Sequence, residues 1–459
     1  MNRENKLTQG NIAQVLISLA IPIMGTSFIH MAYSMIDMIW IGRLGSNAVA
    51  AVGTAGFFPW LAFALIVIPK IGAEVGVAQS IGRENRDEAR TYIKHAIQLV
   101  VLLGIIYSLI LIIFRNSLID FFGIEDKEVI EMAISYLVII SFGIIFYFLN
   151  PVFTGILNGY GNSRTPFKLN AIGLVTNIVL DPILIFGIGP FPAMGVKGAA
   201  IATIFAQFVV SCSFIYYIIK SEDDIFKNLY LLTKPDREHM KKIIKLGLPT
   251  GLQSGLFTFF AMIITKVVAS WGPVPIAVQN IGAQIESISW MTAEGFATAI
   301  SAFVGQNYGA KKWDRIKEGY FMGLKIVSVV GILATFLLFF FGGSIFKVFI
   351  SEPETISMGV VYLKILSISQ IFMTIEIVSA GAFNGLGKTV PPSVVGIIFN
   401  GLRIPSAILL SRYTFLGLNG IWLSISVSSI FKGSVLTIWF LYTLYKRPST
   451  EVINKSHGL

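Results

Sequence analysis

The stretch AQSIGRENRD (Ala78–Asp87) returns 227 residues later as GQNYGAKKWD (Gly305–Asp314), with Gln79 on Gln306, Gly82 on Gly309 and Asp87 on Asp314. The same offset puts Pro22 on Pro249, Gly45 on Gly272 and Ser117 on Ser344. With small gaps, YLVIIS from Tyr136 meets YLKILS from Tyr362, and NGYG from Asn158 meets NGLG from Asn384. Gly195 and Gly198 meet Gly417 and Gly420. The chain is therefore one pattern written twice.

What that pattern builds follows from composition. The 459 residues are 54% hydrophobic and 13% charged, with a mean hydropathy of +0.75, well beyond the balance of a soluble domain. Apolar runs long enough to cross a bilayer as helices, which takes roughly 20 residues, recur from residue 12 to residue 445. They are expected near 12–42, 47–81, 86–114, 128–152, 164–187 and 194–219, then 241–270, 274–306, 312–342, 355–380, 390–411 and 417–445. The first run lacks a cleavage site after a short apolar core and reads as a retained span. The expected fold is an all-α integral membrane protein with twelve transmembrane helices in two pseudo-symmetric six-helix bundles. Residues 1–219 form one lobe, 220–240 a hydrophilic linker and 241–459 the other lobe. Six spans per copy is an even number, so both copies insert in the same sense as parallel repeats. Such repeats place a substrate site between the halves of a carrier.

Charge gives orientation. By position, 23 of the 35 Lys and Arg residues fall in the termini and alternate connections, and six fall in the opposite connections. That asymmetry puts both termini in the cytoplasm of a plasma-membrane protein. The net charge of +10 thus reports topology and not nucleic-acid binding. One cysteine, Cys212, excludes an internal disulfide, and the four scattered histidines offer no metal-ligand spacing. Phosphate-binding loops and nucleophile elbows are absent, so no enzymatic or ATP-driven step is encoded.

Ionisable groups within apolar spans are costly and by default functional. Asp37 lies late in the first span, and Asp181 lies in the fifth, within TNIVLDPILIF (Thr176–Phe186). Asn177 is one helical turn before Asp181, and Pro182 removes a backbone donor beside it. Two acids in a dry site favour uptake of a small cation. A proton would serve, and so would Na⁺ held by Asp37, Asn177, Asp181 and the Thr203 hydroxyl of the sixth span. In the second copy Asp37 corresponds to Ile264 and Asp181 to Ile404, so packing does not demand an acid at either place. Tyr33, Tyr136, Tyr147 and Glu286 are candidates to line a cavity for amphipathic cations. Glu286 is expected either to face that cavity or to pair with Lys266 or Lys364, and Glu376 to pair with Arg403.

Several stretches together resemble the multidrug and toxic compound extrusion (MATE) family. They are SMIDMIWIGRLGSNAVAAVG (Ser34–Gly53), GILNGYGNSRTPF (Gly155–Phe167), NIVLDPILIFG (Asn177–Gly187), GVKGAAIAT (Gly195–Thr203), FVGQNYGAKK (Phe303–Lys312) and FNGLGKTVPPS (Phe383–Ser393). The resemblance implies a secondary antiporter that alternates between inward-open and outward-open states. It would export organic, often cationic, small molecules in exchange for H⁺ or Na⁺, with no cofactor beyond that ion, and act as a monomer in the bilayer. On this sequence the family's coupling positions fall on Asp37, Asp181, Asn177 and Thr203, with Tyr136 in the fourth span. A complete acid pair in the first half looks like the DinF-type and archaeal branch. The NorM branch has an acid in the seventh span, where GLPTGLQSGLFTFF (Gly247–Phe260) offers only Gln253. A lipid-linked saccharide flippase shares the duplication, but it calls for a cationic cavity where this chain has acids.

Overall fold

The computed structural model describes residues 7–227, 229–231 and 233–446, and every regular element among them is helical. The first repeat supplies α1 (Ile12–Gly42), α2 (Ser46–Gly82), α3 (Arg86–Ile113), a six-residue α4 (Arg115–Asp120), α5 (Lys127–Tyr160), α6 (Arg164–Phe186) and α7 (Val196–Lys220). A single 3₁₀ turn (Asp224–Phe226) leads to α8 (Arg237–Ala269), α9 (Pro273–Gly309), α10 (Trp313–Phe346), α11 (Pro353–Ser367), α12 (Gln370–Gly385), α13 (Val390–Arg412) and α14 (Leu418–Tyr445). Ten of these helices are long and apolar enough to cross a membrane. The α11–α12 pair, bent by 50°, has that length and apolarity only when the two are taken together. With 37 residues α9 has the length as well, but Gln279, Gln284, Glu286 and Glu294 dilute its apolar character. Two expected boundaries move. The fourth span runs through Pro151 to Tyr160, where Gly161 adopts φ +94° and ends it. The tenth span is broken at Ile368 and Ser369.

Helices in lipid gain little from burying apolar surface against one another, so close approach through small residues matters more. In the unit that runs to Gly255 and includes Ser301–Lys312, glycines do this work. A Cβ on Gly159 of α5 would strike the Glu74 carbonyl of α2, and one on Gly76 would strike the Tyr92 ring of α3. The alanines of α2 at 48, 51, 55, 62 and 73 are fully buried or nearly so in the core that results. Away from it, Leu102, Ile105, Ile106, Leu109, Ile110 and Ile113 form an exposed stripe at helical spacing on α3, a face suited to lipid tails.

The repeated stretch packs against itself. Gly82 sits under the Gln306 carbonyl and Gly309 under the Gln79 carbonyl, a reciprocal contact between equivalent residues. Just beyond, Glu84 and Lys311, also equivalent, both take the left-handed conformation at φ +59°. Gln306 adds a hydrogen bond from its amide to the Gly159 carbonyl at 3.0 Å.

The other unit holds Leu256–Ile300 and the chain from Trp313 onward. Its core stacks Tyr362 edge-on against Trp422 at 5.1 Å and Tyr320 against Phe440 at 4.3 Å. Gly381 there lies against the Ala297 carbonyl, and Gly433 against that of Phe372.

The hydrophilic segment before α8 is fastened to α3. Asp224 contacts Arg86 and Lys227, Gln98 donates to the Leu231 and Thr233 carbonyls at 2.7 and 2.9 Å, and the Asp236 N–H donates to His95 Nε2 at 2.9 Å. His239 stacks on His95 with ring centres 5.6 Å apart and contacts the Asp236 carboxylate. A hydrogen bond from His239 is the main reason the Asp236 carboxyl is held below the usual carboxylate range. Replacing His95 by Ala is expected to speed tryptic cleavage at Arg237 several-fold, read by gel. Equal rates would show that the histidine does not hold the segment. For the seam, Gly82→Ala is expected to cost about 1–3 kcal/mol through overpacking and lower the thermal midpoint. Gly56→Ala, with nothing within 4 Å of the added carbon, is expected to leave the midpoint unchanged or raise it.

Candidate functional site

The α6 helix sets Asn177 and Asp181 one turn apart, and both are fully buried. The Asn177 amide donates to Asp181 Oδ1 at 3.1 Å. Pro182 follows within the unbroken helix and has no N–H, so the Ile178 carbonyl lacks its usual partner four residues on. Gly198, pressed on the Leu184 carbonyl, lets α7 approach α6 closely. One turn further along α7, the Thr203 hydroxyl lies 3.2 Å from Asp37 Oδ2 and 3.0 Å from the Ala199 carbonyl. It has one proton to give, so the two acceptors share it. Across from α6, α1 carries Asp37, whose carboxyl faces that of Asp181 with Asn177 alongside.

Donors run out at this point. Asp37 Oδ1, Asp181 Oδ2 and Asn177 Oδ1 are all buried oxygens without a hydrogen-bond donor. Two carboxylates cannot hydrogen-bond each other without a proton, and a buried acceptor left unmatched costs about 1–3 kcal/mol, more when it is charged. A proton shared by the carboxylates would remove the deficit. So would a hard cation ligated by Asp37, Asp181, Asn177 and Thr203, an all-oxygen set that suits Na⁺ and not a thiophilic metal. Among the described residues no cluster of three or more His, Cys, Asp or Glu side chains is placed to hold a metal ion.

The other expected site residues divide. Tyr33 of α1 and Tyr136 of α5 are buried within electrostatic reach of both acids, and the Tyr33 hydroxyl, beside Gly173, has no hydrogen-bond partner. Tyr147, three turns along α5 from Tyr136, is more exposed. Glu286 belongs to the other unit. It is bound by neither Lys266 nor Lys364: its Oε1 accepts from Gln370 Nε2 at 2.7 Å, with Tyr362 within electrostatic reach. Lys364 instead lies over the Phe339 ring, 5.6 Å from its centre. Glu376 pairs with Lys432 at 3.1 Å and not with Arg403, which donates to the Ser428 and Ser429 hydroxyls. Lys432 in SSIFKGS (Ser428–Ser434) was legible as a lone cation in an apolar span. The buried clamp in which Asn150 donates to Gln207 Oε1 at 2.8 Å and accepts from Ser211 at 2.7 Å had no such signal.

The MatE family model matches residues 22–183 and 249–409, which are the two copies of the repeat. The chain is 30% identical over 435 residues to "Probable multidrug resistance protein NorM" of Thermotoga maritima, covering 94% of this chain and 92% of that one. It is 27% identical to "Probable multidrug resistance protein YoeA" of Bacillus subtilis, covering 92% and 91%. In fold it superimposes on a solved structure, "Crystal structure of MATE in the bent conformation", with a TM-score of 0.90 over the whole of both chains at 23% identity.

Because Asp181 leaves an oxygen unmatched, removing its charge relieves the fold. Asp181→Asn is expected to keep or raise the thermal midpoint of the purified protein. A loss of more than about 1 kcal/mol would instead mark the carboxylate as a structural hydrogen-bond partner.

Proposed function

This chain belongs to the MatE family, and from that premise we propose that it is a secondary multidrug exporter that couples entry of H⁺ or Na⁺ at Asp37 and Asp181 to expulsion of organic, mainly cationic, compounds. The observation that carries the reading is the set of three donorless buried oxygens on Asp37, Asp181 and Asn177. Such a cluster is tolerable with a small cation present and unfavourable without one. Charging and neutralising it changes the packing of α1 against α6 and α7. An ion biases a two-state carrier only through its different affinities for the two states. The cluster supplies that difference if a change of state alters the separation of the acids or their contact with water.

Within this proposal the protein acts as a monomer of two six-helix lobes, residues 1–219 and 241–459, joined by the segment 220–240. Both termini face the cytoplasm, as the 23 basic residues of the termini and alternate connections favour. Tyr33 and Tyr136 offer ring faces beside the acids for a cationic substrate, so substrate and coupling ion would compete for one region. The acid pair in the first half, and the lack of an acid in Gly247–Phe260, support a coupling site of the DinF-like and archaeal type.

Ethidium efflux from expressing cells is expected to stop when a protonophore or sodium removal collapses the driving gradient. Asp181→Asn and Asp37→Asn are each expected to reduce efflux to the background of empty cells while membrane abundance stays normal. In vesicles with only ΔpH or only ΔpNa imposed, transport should follow one gradient and identify the ion. Parental pumping by either variant would refute the coupling assignment.

A further inference from the structure

The second unit carries a charge that no described side chain neutralises directly. Arg403 stands on α13, one residue before Ile404, the position equivalent to Asp181, and so about 100° round the helix from it. Its Nε donates to Ser428 Oγ at 3.0 Å and one terminal nitrogen donates to Ser429 Oγ at 3.1 Å. The Ser428 hydroxyl is in turn fixed by donating to the Phe399 carbonyl at 2.9 Å. Among the described residues no carboxylate lies within 4.0 Å of the guanidinium. The two acids within electrostatic reach are committed elsewhere. Glu376 is taken by Lys432 at 3.1 Å, and Glu286 by Gln370 at 2.7 Å.

An intramembrane guanidinium normally meets a carboxylate or lines a path for a charged ligand. Here it is oriented by hydroxyls that contribute no negative charge, and its side chain is only partly buried. Its planar fork retains donors suited to a carboxylate or phosphate, which Lys in the same place would recognise only as a point charge. The Glu286 carboxylate stands in the same field without touching it. Arg403 and Glu286 are thus within electrostatic reach of each other, each hydrogen-bonded to neutral side chains, an arrangement suited to a molecule that brings its own anion and cation.

We propose that Arg403 is a specificity-determining residue of this chain that binds the carboxylate of amphipathic zwitterionic substrates. This rests on the transport reading above, but binding is measured at equilibrium and needs no pumping. A wild type that binds without pumping therefore leaves this inference standing and refutes only the coupling.

The test uses a matched pair, rhodamine 110, which has a free carboxylate, and rhodamine 123, its methyl ester. Binding to the purified full chain in detergent is read by fluorescence anisotropy. The wild type is expected to bind the free acid at least as tightly as the ester. Arg403→Gln is expected to weaken the acid about ten- to a hundredfold, the effect of losing a charge-assisted pair, and the ester less than about threefold. Arg403→Lys is expected to fall between. Equal losses for both dyes would make Arg403 a structural brace, and no loss for either would remove it from recognition, so each overturns the proposal. Should Arg403→Gln not yield monodisperse protein, the wild type decides, since a tenfold or greater preference for the ester sinks the idea. Phosphatidylglycerol is expected to displace the acid no better than phosphatidylcholine. Selective displacement that is lost in Arg403→Lys would assign the site to lipid headgroups and also overturn it.

Discussion

The constraint on which the rest depends is the absence of water around Asp181. A carboxylate in hydrocarbon survives only if its environment returns what solvent would have given, and here the environment returns too little. Asn177 supplies one donor to Asp181, and Thr203 divides a single proton between Asp37 and the Ala199 carbonyl. The remaining oxygens, Asp37 Oδ1, Asp181 Oδ2 and Asn177 Oδ1, are buried without a hydrogen-bond partner. A better-satisfied site would be more stable and less useful, because an acid already matched by fixed donors has little affinity left for a mobile ion.

Bringing three helices that close together requires surfaces without side chains in the way. Gly198 presses on the Leu184 carbonyl, and Gly173 admits the Tyr33 hydroxyl and Val210, so α1, α6 and α7 converge on one point. Elsewhere in the same unit the reciprocal Gly82 and Gly309 contacts lock the ends of α2 and α9 by backbone fit, a geometry that tolerates little sliding. Rigid seams of this kind confine any rearrangement to helices that lack them. That arrangement is what a two-state carrier needs, since a strain applied at the acids must move whole helices and not dissipate in local give.

Much of this was legible in the chain. Apolar runs bounded by Gly, Pro and charge locate nearly every helix, because membrane insertion reads the same pattern. The acids and Asn177 stood out for the converse reason, that nothing apolar explains them. The misses have physical causes. Pro151 did not end α5, since a proline in a packed membrane helix can be carried by its neighbours. The break between α11 and α12 has no proline or glycine to announce it; its freed carbonyls are met by side chains, with Thr335 donating to Ser367 and Ser426 to Ile365. The partners of Glu286 and Glu376 were misassigned because spacing along a helix says nothing about which neighbouring helix supplies the counter-group. That Gln370 and Lys432 are the partners follows only from the packing of α9 on α12 and of α12 on α14.

The duplication sharpens what each half is for. Equivalent positions share backbone requirements: Gly82 and Gly309 fill one role, and Glu84 and Lys311 share one unusual conformation. At the positions of the acid pair the requirement lapses, for their equivalents Ile264 and Ile404 belong to one apolar cluster. Asn177, Asp181 and Pro182 correspond to Asn400, Ile404 and Pro405, so the amide and the proline are kept and the acid is not. A fold that needed the acid for packing would have needed it twice. Because Asn400 persists beside Ile404, the polar turn and its proline belong to the shared scaffold. Asp181 is an addition to that scaffold made in one copy only.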